Sequence, residues 1–222
     1  MLQAVIFDLD GTLLDTLADL ASAGNHTLSA MGLPTHPVAA YREFVGGGIS
    51  RLIQHILPAT HQGESTRQLA LTLFSRHYQA HMFDATAPYP GILPLLAWLR
   101  TQPLFLGVLS NKDDAFTREI VERYFPGTFH AVAGLQEGFA PKPDPAALHV
   151  LLQALAVPPQ RTLYVGDKDV DIFTAQNAGT LACAVSWGFQ SEDALRAAGA
   201  PQLAQNPEQL AQLVQALLEA PE

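Results

Sequence analysis

Five short apolar runs govern what this chain can fold into: Ala4 to Phe7, Leu104 to Leu109, Ala131 to Ala133, Thr162 to Val165 and Leu181 to Val185. None alternates polar with apolar residues, so each reads as a strand covered on both faces. Most are separated by helix-like segments. Pro90-Gly91 leads into an apolar stretch ending near Arg100, and Asp113 stands where it can cap a helix reaching about Tyr124. Asp144 followed by Pro145 supplies an N-cap and first-turn proline for a helix through about Leu155. Strands alternating with helices predict an α/β fold, a Rossmann-like parallel sheet flanked by helices.

The stretch from about Thr16 to Asp84 breaks that alternation. Its apolar residues recur at helical spacing, Leu17, Leu20, Ala21 and Leu28 and then Leu69, Leu73, Phe74 and Tyr78, and no strand is legible in it. It follows the first strand directly and ends at the turn-rich Ala85-Thr86-Ala87-Pro88-Tyr89-Pro90-Gly91, which predicts a small all-helical cap inserted after that strand and hinged at both ends. The expected division is residues 1–15 and 86–222 for the core and 16–85 for the cap. Beyond Ala200 the sequence suits a short strand and then an amphipathic helix from Pro207 to Leu218.

A chain of 222 residues with 48% hydrophobic content can bury a sizeable core. Its formal net charge of −9, with no run of Lys or Arg, lacks the phosphate-neutralising electrostatics of nucleic-acid binding. No apolar run approaches the ~20 residues of a membrane span, and neither a basic leader nor a small-residue cleavage site is legible at the N-terminus. A cytoplasmic protein with neither nucleic acid nor membrane as partner is expected. Cys183, the single cysteine, lies in the apolar Leu181-Ala182-Cys183-Ala184-Val185 and reads as a buried structural thiol in a reducing compartment. The eight histidines follow no metal-ligand spacing, and no Gly-x-x-x-x-Gly-Lys run suggests nucleotide binding.

Three of the buried strands run into polar residues suited to phosphate chemistry: Phe7 into Asp8-Leu9-Asp10-Gly11-Thr12, Leu109 into Ser110-Asn111, and Val165 into Gly166-Asp167. The carboxyl ends of strands in an open parallel sheet form the ligand crevice, so these groups are expected to converge. Asp8 and Asp10, one residue apart with Gly11 turning the chain away, place two carboxyl groups there. One can attack phosphorus and the other can protonate the leaving oxygen and later deprotonate water. A dianionic phosphate does not approach two carboxylates unaided, so a cation is required, and Mg²⁺ binds through one or two carboxylates plus substrate oxygens.

Asp167 is the natural further ligand, with Asp169 and Asp171 just beyond it at the start of a helix that Gly179 closes after Ala178. Only one or two of these three can touch the ion, and acidic residues suit a helix N-terminus in any case. Lys142, in Ala140-Pro141-Lys142-Pro143-Asp144-Pro145, is held by a proline-stiffened loop near a helix N-terminus, where its ammonium can steady the nucleophile and the phosphoryl oxygens. Ser110 can donate its hydroxyl to phosphate, with backbone amides of the Asp8 loop and of Asn111 as further donors.

The strings Phe-Asp-Leu-Asp-Gly-Thr-Leu-Leu-Asp-Thr, Leu-Ser-Asn-Lys, Lys-Pro-Asp-Pro and Val-Gly-Asp-Lys-Asp-Val-Asp are similar in order and spacing to the four motifs of haloacid dehalogenase superfamily phosphatases. The resemblance spans nearly the whole chain. It implies Asp8 as nucleophile and metal ligand, Asp10 as acid/base with its backbone carbonyl on Mg²⁺, and Thr12 as a supporting residue on the substrate side. It further implies Ser110 and Lys142 on phosphate, Asp167 on the metal, and Asp171 in or just behind the metal shell. Lys168 departs from the pattern, standing where a small hydroxyl residue commonly follows the Gly-Asp pair, which bears on hydrogen bonding and charge near the ion.

Within the superfamily the chain most resembles phosphoglycolate phosphatases. The likeness is carried by Val45-Gly46-Gly47-Gly48-Ile49-Ser50-Arg51-Leu52-Ile53, Pro88-Tyr89-Pro90-Gly91 and Val185-Ser186-Trp187-Gly188-Phe189. The glycine run around Gly48 would bring backbone amides close to a substrate, and the forked guanidinium of Arg51 would suit a carboxylate. The expected activity is Mg²⁺-dependent hydrolysis of a small phosphorylated metabolite, 2-phosphoglycolate foremost, by a monomer or homodimer. Rivals are phosphoryl transfer as in β-phosphoglucomutases, hydrolysis of sugar phosphates or pyrophosphate, and non-catalytic phosphate binding. Dehalogenation is disfavoured because displacing halide needs no proton donor such as Asp10.

Overall fold

A computed structural model describes residues 1–220. The strands are β1 (Ala4–Phe7), β2 (Leu14–Asp15), β3 (Ala87–Pro88), β4 (Phe105–Asp113), β5 (Ala131–Leu135), β6 (Thr162–Gly166), β7 (Leu181–Val185) and β8 (Leu203–Ala204). The helices are α1 (Leu17–Ala30), α2 (Tyr41–Phe44), α3 (Ile49–Ile56), α4 (Glu64–His81), α5 (Ile92–Leu99), α6 (Asp114–Tyr124), α7 (Ala146–Ala154), α8 (Asp169–Ala178), α9 (Glu192–Ala197) and α10 (Pro207–Glu219).

Six strands form one parallel sheet in the order β5-β4-β1-β6-β7-β8. The chain builds outward from β1 to β4 and β5, then returns to β1's other edge for β6, β7 and β8. β1 is therefore the switch point, and the crevice at its carboxyl end is flanked by β4 and β6. Each central strand is apolar on both sides because each faces helices twice. Ala4, Ile6 and Tyr164 pack with Leu148, Leu151 and Ala175 of α7 and α8. Val5, Phe7, Leu106, Val108 and Val165 pack on the opposite face with Ile92, Ile120 and Leu210 of α5, α6 and α10.

The predicted helices are all present. Asp113 caps α6 by accepting from the Ala115 N–H at 3.0 Å, and Gly179 ends α8 with φ 71°. Asp144 accepts from the Ala146 N–H at 2.9 Å, but helix α7 begins after Pro145 rather than at it. Cys183 is buried in β7, where burial pushes its thiol pKa up to about 12.

β4 runs four residues further than the apolar run predicts, through Ser110, Asn111, Lys112 and Asp113. Its register against β5 slips between Leu109 and Asp113, and Asp113 pairs with Leu135, so pairing continues on polar residues that hydropathy does not mark as strand.

No strand interrupts α1 to α4. Where this helical segment leaves and rejoins the sheet, β2 and β3 pair antiparallel, Leu14 opposite Pro88 and Asp15 opposite Ala87. The buried Asp19 of α1 fastens the return: its Oδ2 accepts from the Thr86 N–H at 2.8 Å and the Thr86 hydroxyl at 2.7 Å, and its Oδ1 from the Ala85 N–H at 3.0 Å.

Candidate active site

The register of the central strands decides where the polar groups meet. Phe7 lies opposite both Val108 and Val165, so Asp8, Leu109 and Gly166 lie at one level along the sheet. Behind Asp8 the chain folds back at once, with the Leu13 and Leu14 N–H groups both bonded to the Leu9 carbonyl. Gly11 makes this possible. Its φ is 88°, and a Cβ there would lie 2.3 Å from Asp167 Oδ2. Gly166 has a matching role, since a Cβ on it would sit 2.2 Å from the Asp171 carboxyl carbon.

Asp8, Asp167 and Asp171 are all buried, and each offers a carboxylate oxygen within 4.8 Å of the others. The Lys142 ammonium sits among them, 2.9 Å from Asp8 Oδ1 and donating to Asp171 Oδ1 at 2.7 Å and to the Tyr164 hydroxyl at 3.1 Å. The loop carrying it is held by Asn111, whose Oδ1 accepts from the Lys142 N–H at 2.7 Å and whose Nδ2 donates to the Lys142 carbonyl at 3.2 Å. Asp171 Oδ2 turns back to accept from the Lys168 N–H at 3.1 Å. Asp167 accepts from the Thr12 hydroxyl on Oδ1 at 3.0 Å and from the Phe189 N–H on Oδ2 at 2.8 Å.

Burial raises the Asp8 pKa to about 7; Lys142 opposes the shift, and Asp171 and Asp10 add to it. Burial likewise holds the Asp167 carboxyl well above the ordinary range, with Asp171 and Asp8 adding and the Phe189 N–H and Thr12 hydroxyl opposing. Of the three buried carboxylates, Asp8 and Asp171 share one ammonium and Asp167 has none, and two carboxylate oxygens of the site, Asp8 Oδ1 and Asp10 Oδ1, accept no hydrogen bond. Lys142 meets Asp8 Oδ1 as an ion pair without hydrogen-bond geometry. An all-oxygen donor set with excess negative charge fits a hard divalent cation such as Mg²⁺. Among the described residues this is the one group of three or more His, Cys, Asp or Glu side chains placed to share an ion.

A cavity lies between the strand ends and the helical segment. The core side contributes Asp8, Asp10, Ser110, Asn111 and Lys112, and the helical segment contributes Leu20, Val45, Gly48, Ile49, Leu52 and Phe74. The volume open to the centre of a water molecule is ≈ 50 Å³, room for a few waters at ~10–15 Å³ each. Ser110 accepts from the Lys112 N–H at 3.2 Å, leaving its own hydroxyl proton to donate.

Not every predicted residue is part of this cavity. Thr12 is fully buried, and its hydroxyl is committed to Asp167, so it supports that carboxylate and does not reach the cavity. Arg51 is exposed and lines a neighbouring cleft with Glu43, His55 and Asp169, so the carboxylate contact expected of it is not made in the cavity. Its place on the outer turn of α3 decides this. Gly48 does line the cavity, with φ 82°. Lys168 directs its ammonium to the Arg42 and Val45 carbonyls at 2.9 and 2.8 Å.

Lys112 is the residue that sequence reasoning passed over. It stands in the Ser-Asn-Lys string, is 8% exposed, and places its ammonium 3.1 Å from Asp10 Oδ2 and 2.9 Å from the Tyr78 hydroxyl. Burial alone would lower its pKa; Asp10 and Tyr78 reverse that and hold it above the ordinary lysine value. Trp187 also has a task that its sequence position did not reveal. Its indole N–H donates to the Thr12 carbonyl at 2.9 Å, clasping the Asp8 loop.

An α/β core with carboxylates gathered at its switch point, and a helical segment following the first strand, is the build of the haloacid dehalogenase-like hydrolases. Residues 5–185 match the model of that family, and the chain belongs to it. Within the family it is a phosphatase. A phosphoglycolate phosphatase of Pseudomonas putida is 33% identical over 192 residues, covering 84% of this chain and 70% of that protein. One from Aquifex aeolicus is 31% identical over 189 residues, covering 85% and 86%. The crystal structure of a provisionally named phosphoglycolate phosphatase from Lactobacillus delbrueckii subsp. bulgaricus superposes with a TM-score of 0.90 at 31% identity, covering 96% of this chain and 98% of that one.

Proposed function

We propose that this phosphatase hydrolyses 2-phosphoglycolate with Mg²⁺, through a phosphorylated Asp8. The observation that carries the reading is the placing of Asp8: at the switch point, lining the cavity, its Oδ1 without a hydrogen bond, and 2.9 Å from the Lys142 ammonium. The substrate rests on the relatives at 33% and 31% identity, which are phosphoglycolate phosphatases. The small cavity also favours it. Of the side chains that the helical segment brings to the cavity, Leu20, Val45, Ile49, Leu52 and Phe74 offer the hydroxyls of a hexose ring no hydrogen-bond partner, and only Tyr78 is polar.

Asp8, Asp167 and Asp171, with the Asp10 carbonyl, would hold Mg²⁺, which when bound offsets the negative charge of the phosphoryl group. The Asp8 carboxylate attacks phosphorus as the bond to the glycolate oxygen breaks, and Asp10 gives that oxygen its proton. Water then attacks the aspartyl-phosphate and loses its proton to the Asp10 carboxylate. The bond to Asp8 breaks and inorganic phosphate leaves. Lys142 balances the charge of Asp8 and Asp171 throughout, and the Ser110 hydroxyl donates to a phosphoryl oxygen. Residues 16–85 act as a cap that opens and closes over a core of residues 1–15 and 86–222. The buried free Cys183 suits a reducing cytoplasm, with the enzyme working as a monomer or homodimer.

Phosphate release from 2-phosphoglycolate, hexose phosphates, pyrophosphate and an aryl phosphate, with Mg²⁺ and with chelator, tests the reading. Preference for 2-phosphoglycolate that depends on Mg²⁺ is expected, and Asp8→Asn abolishes turnover. Retention of most activity by Asp8→Asn, or a preference for hexose phosphates, would overturn it.

A further inference from the structure

The relatives' substrate carries a carboxylate beside its phosphate, and a carboxylate taken out of water into a cavity already lined by Asp8 and Asp10 needs a cation. Arg51, whose position in the sequence suggested it for this task, lies outside the cavity. Lys142 is surrounded by Asp8, Asp171 and Tyr164 and does not line the cavity. Among the described residues, Lys112 is the one lysine or arginine that does.

We propose that Lys112, steadied by Tyr78, recognises the acidic group of the leaving alcohol and so sets the enzyme's preference for phosphorylated hydroxy acids over neutral phosphate esters. This rests on the function proposed above and names the residue that confers its substrate choice. Three observations support the assignment. The ammonium is directed by two partners on opposite sides of the cavity, Asp10 Oδ2 on the core at 3.1 Å and the Tyr78 hydroxyl on α4 at 2.9 Å, and it lies 4.6 Å from the centre of the Tyr78 ring. Its neighbours in the cavity wall include Phe74, Phe116 and Leu20, which strengthen any charge pair by excluding water. It shares the cavity wall with Asp8 and with Asp10, the group that protonates the leaving oxygen, so an acid one carbon from that oxygen enters the same cavity as the ammonium.

A neutral leaving group gains nothing from Lys112 and still has to fit beside its charge. A leaving group bearing an amine is repelled. Selection therefore arises from the one ammonium that lines the cavity, and the cap need supply no cation of its own.

The test is the ratio of kcat/KM for 2-phosphoglycolate to kcat/KM for an aryl phosphate, measured with Mg²⁺ on the intact enzyme and on Lys112→Met. Methionine keeps most of the stem and removes the charge. The ratio is expected to fall about 10–100-fold, chiefly through KM for 2-phosphoglycolate, as befits loss of a charge-assisted contact. Tyr78→Phe, which removes only the hydroxyl that steadies the ammonium, is expected to lower the same ratio by a smaller factor while leaving the fold intact. An unchanged ratio in Lys112→Met, with the unaltered enzyme preferring 2-phosphoglycolate, overturns this assignment and leaves the proposed function standing. An unaltered enzyme that cleaves the aryl phosphate but shows no preference for carboxylate-bearing esters overturns both.

Discussion

Asp8 holds its proton to about pH 7 in the ion-free protein, because burial penalises its charge more than Lys142 compensates, with Asp171 and Asp10 adding to the shift. Its ordinary value is 3.8, so between that and about 7 the folded state binds more protons than the unfolded one. Stability from this group is complete below 3.8 and is lost as pH rises through 7; Asp167, raised by the same cause, acts in the same direction. A divalent cation competes with those protons. Thermal melts with Mg²⁺ and with chelator should show a rise in Tm that is larger above pH 7 than at pH 5, and equal rises at both would refute the shared-ion reading of Asp8, Asp167 and Asp171. Asp8 and Asp167 were legible in the sequence because each follows a buried strand, where topology alone predicts convergence, whereas Asp171, inside α8, was marked only by its place in the family motif. Lys112 was not, because its significance depends on Tyr78, 34 positions away on a different element. Arg51 was misplaced for the converse reason: its chemistry is legible, but the side of α3 it occupies is settled only by packing.

Among the elements, the strands were the most legible because their burial on both faces leaves uninterrupted apolar runs. The helices owe their legibility to caps such as Asp113 and Gly179. Elements built from few residues or polar ones were not visible. β2 and β3 have two residues each, too few for any periodicity, and the polar end of β4 is strand only because β5 continues beside it. Their junction is set instead by one buried carboxylate. Asp19 accepts from two backbone N–H groups and a hydroxyl at Ala85 and Thr86, tying α1 to the chain that returns from α4. Asp19→Ala leaves the two buried Thr86 donors without an acceptor and is expected to destabilise the protein by about 2–6 kcal/mol, at ~1–3 kcal/mol for each buried group left unpaired. Asp19→Asn, which retains one acceptor oxygen, should cost less. Denaturant unfolding of the two variants checks the order, and equal losses would mean that Asp19 matters for its volume and not its oxygens.

At the scale of the molecule, the helical segment meets the core not only through Tyr78 and Lys112 but through a set of hydrogen bonds gathered on residues 42–48. Lys168 donates to the Arg42 and Val45 carbonyls, Arg42 donates to the Gly188 carbonyl at 3.0 Å, and Asn111 donates to the Gly46 carbonyl at 2.9 Å. The same residues of the core that order the carboxylate cluster therefore also hold the wall of the cavity: Lys168 adjoins Asp167, Gly188 adjoins Phe189, and Asn111 orients Lys142. The wall of the cavity and the carboxylate cluster thus rest on neighbouring core residues in this arrangement. Lys168, the residue that departs from the family's motif, acts across that seam, with its ammonium directed at backbone carbonyls of the opposite side. Lys168→Met retains the stem and removes both charge-assisted bonds, worth about 1.5–3 kcal/mol each at most. Deuterium exchange of the amides in residues 42–48 is expected to accelerate by about tenfold or more, as opening of that stretch becomes easier, while the amides of β1 stay protected. KM for the substrate should rise in parallel, because fewer molecules hold the wall in place when substrate arrives. Faster exchange across the sheet as well would show that Lys168 supports the fold as a whole, and unchanged exchange at residues 42–48 would show that the seam is held without it.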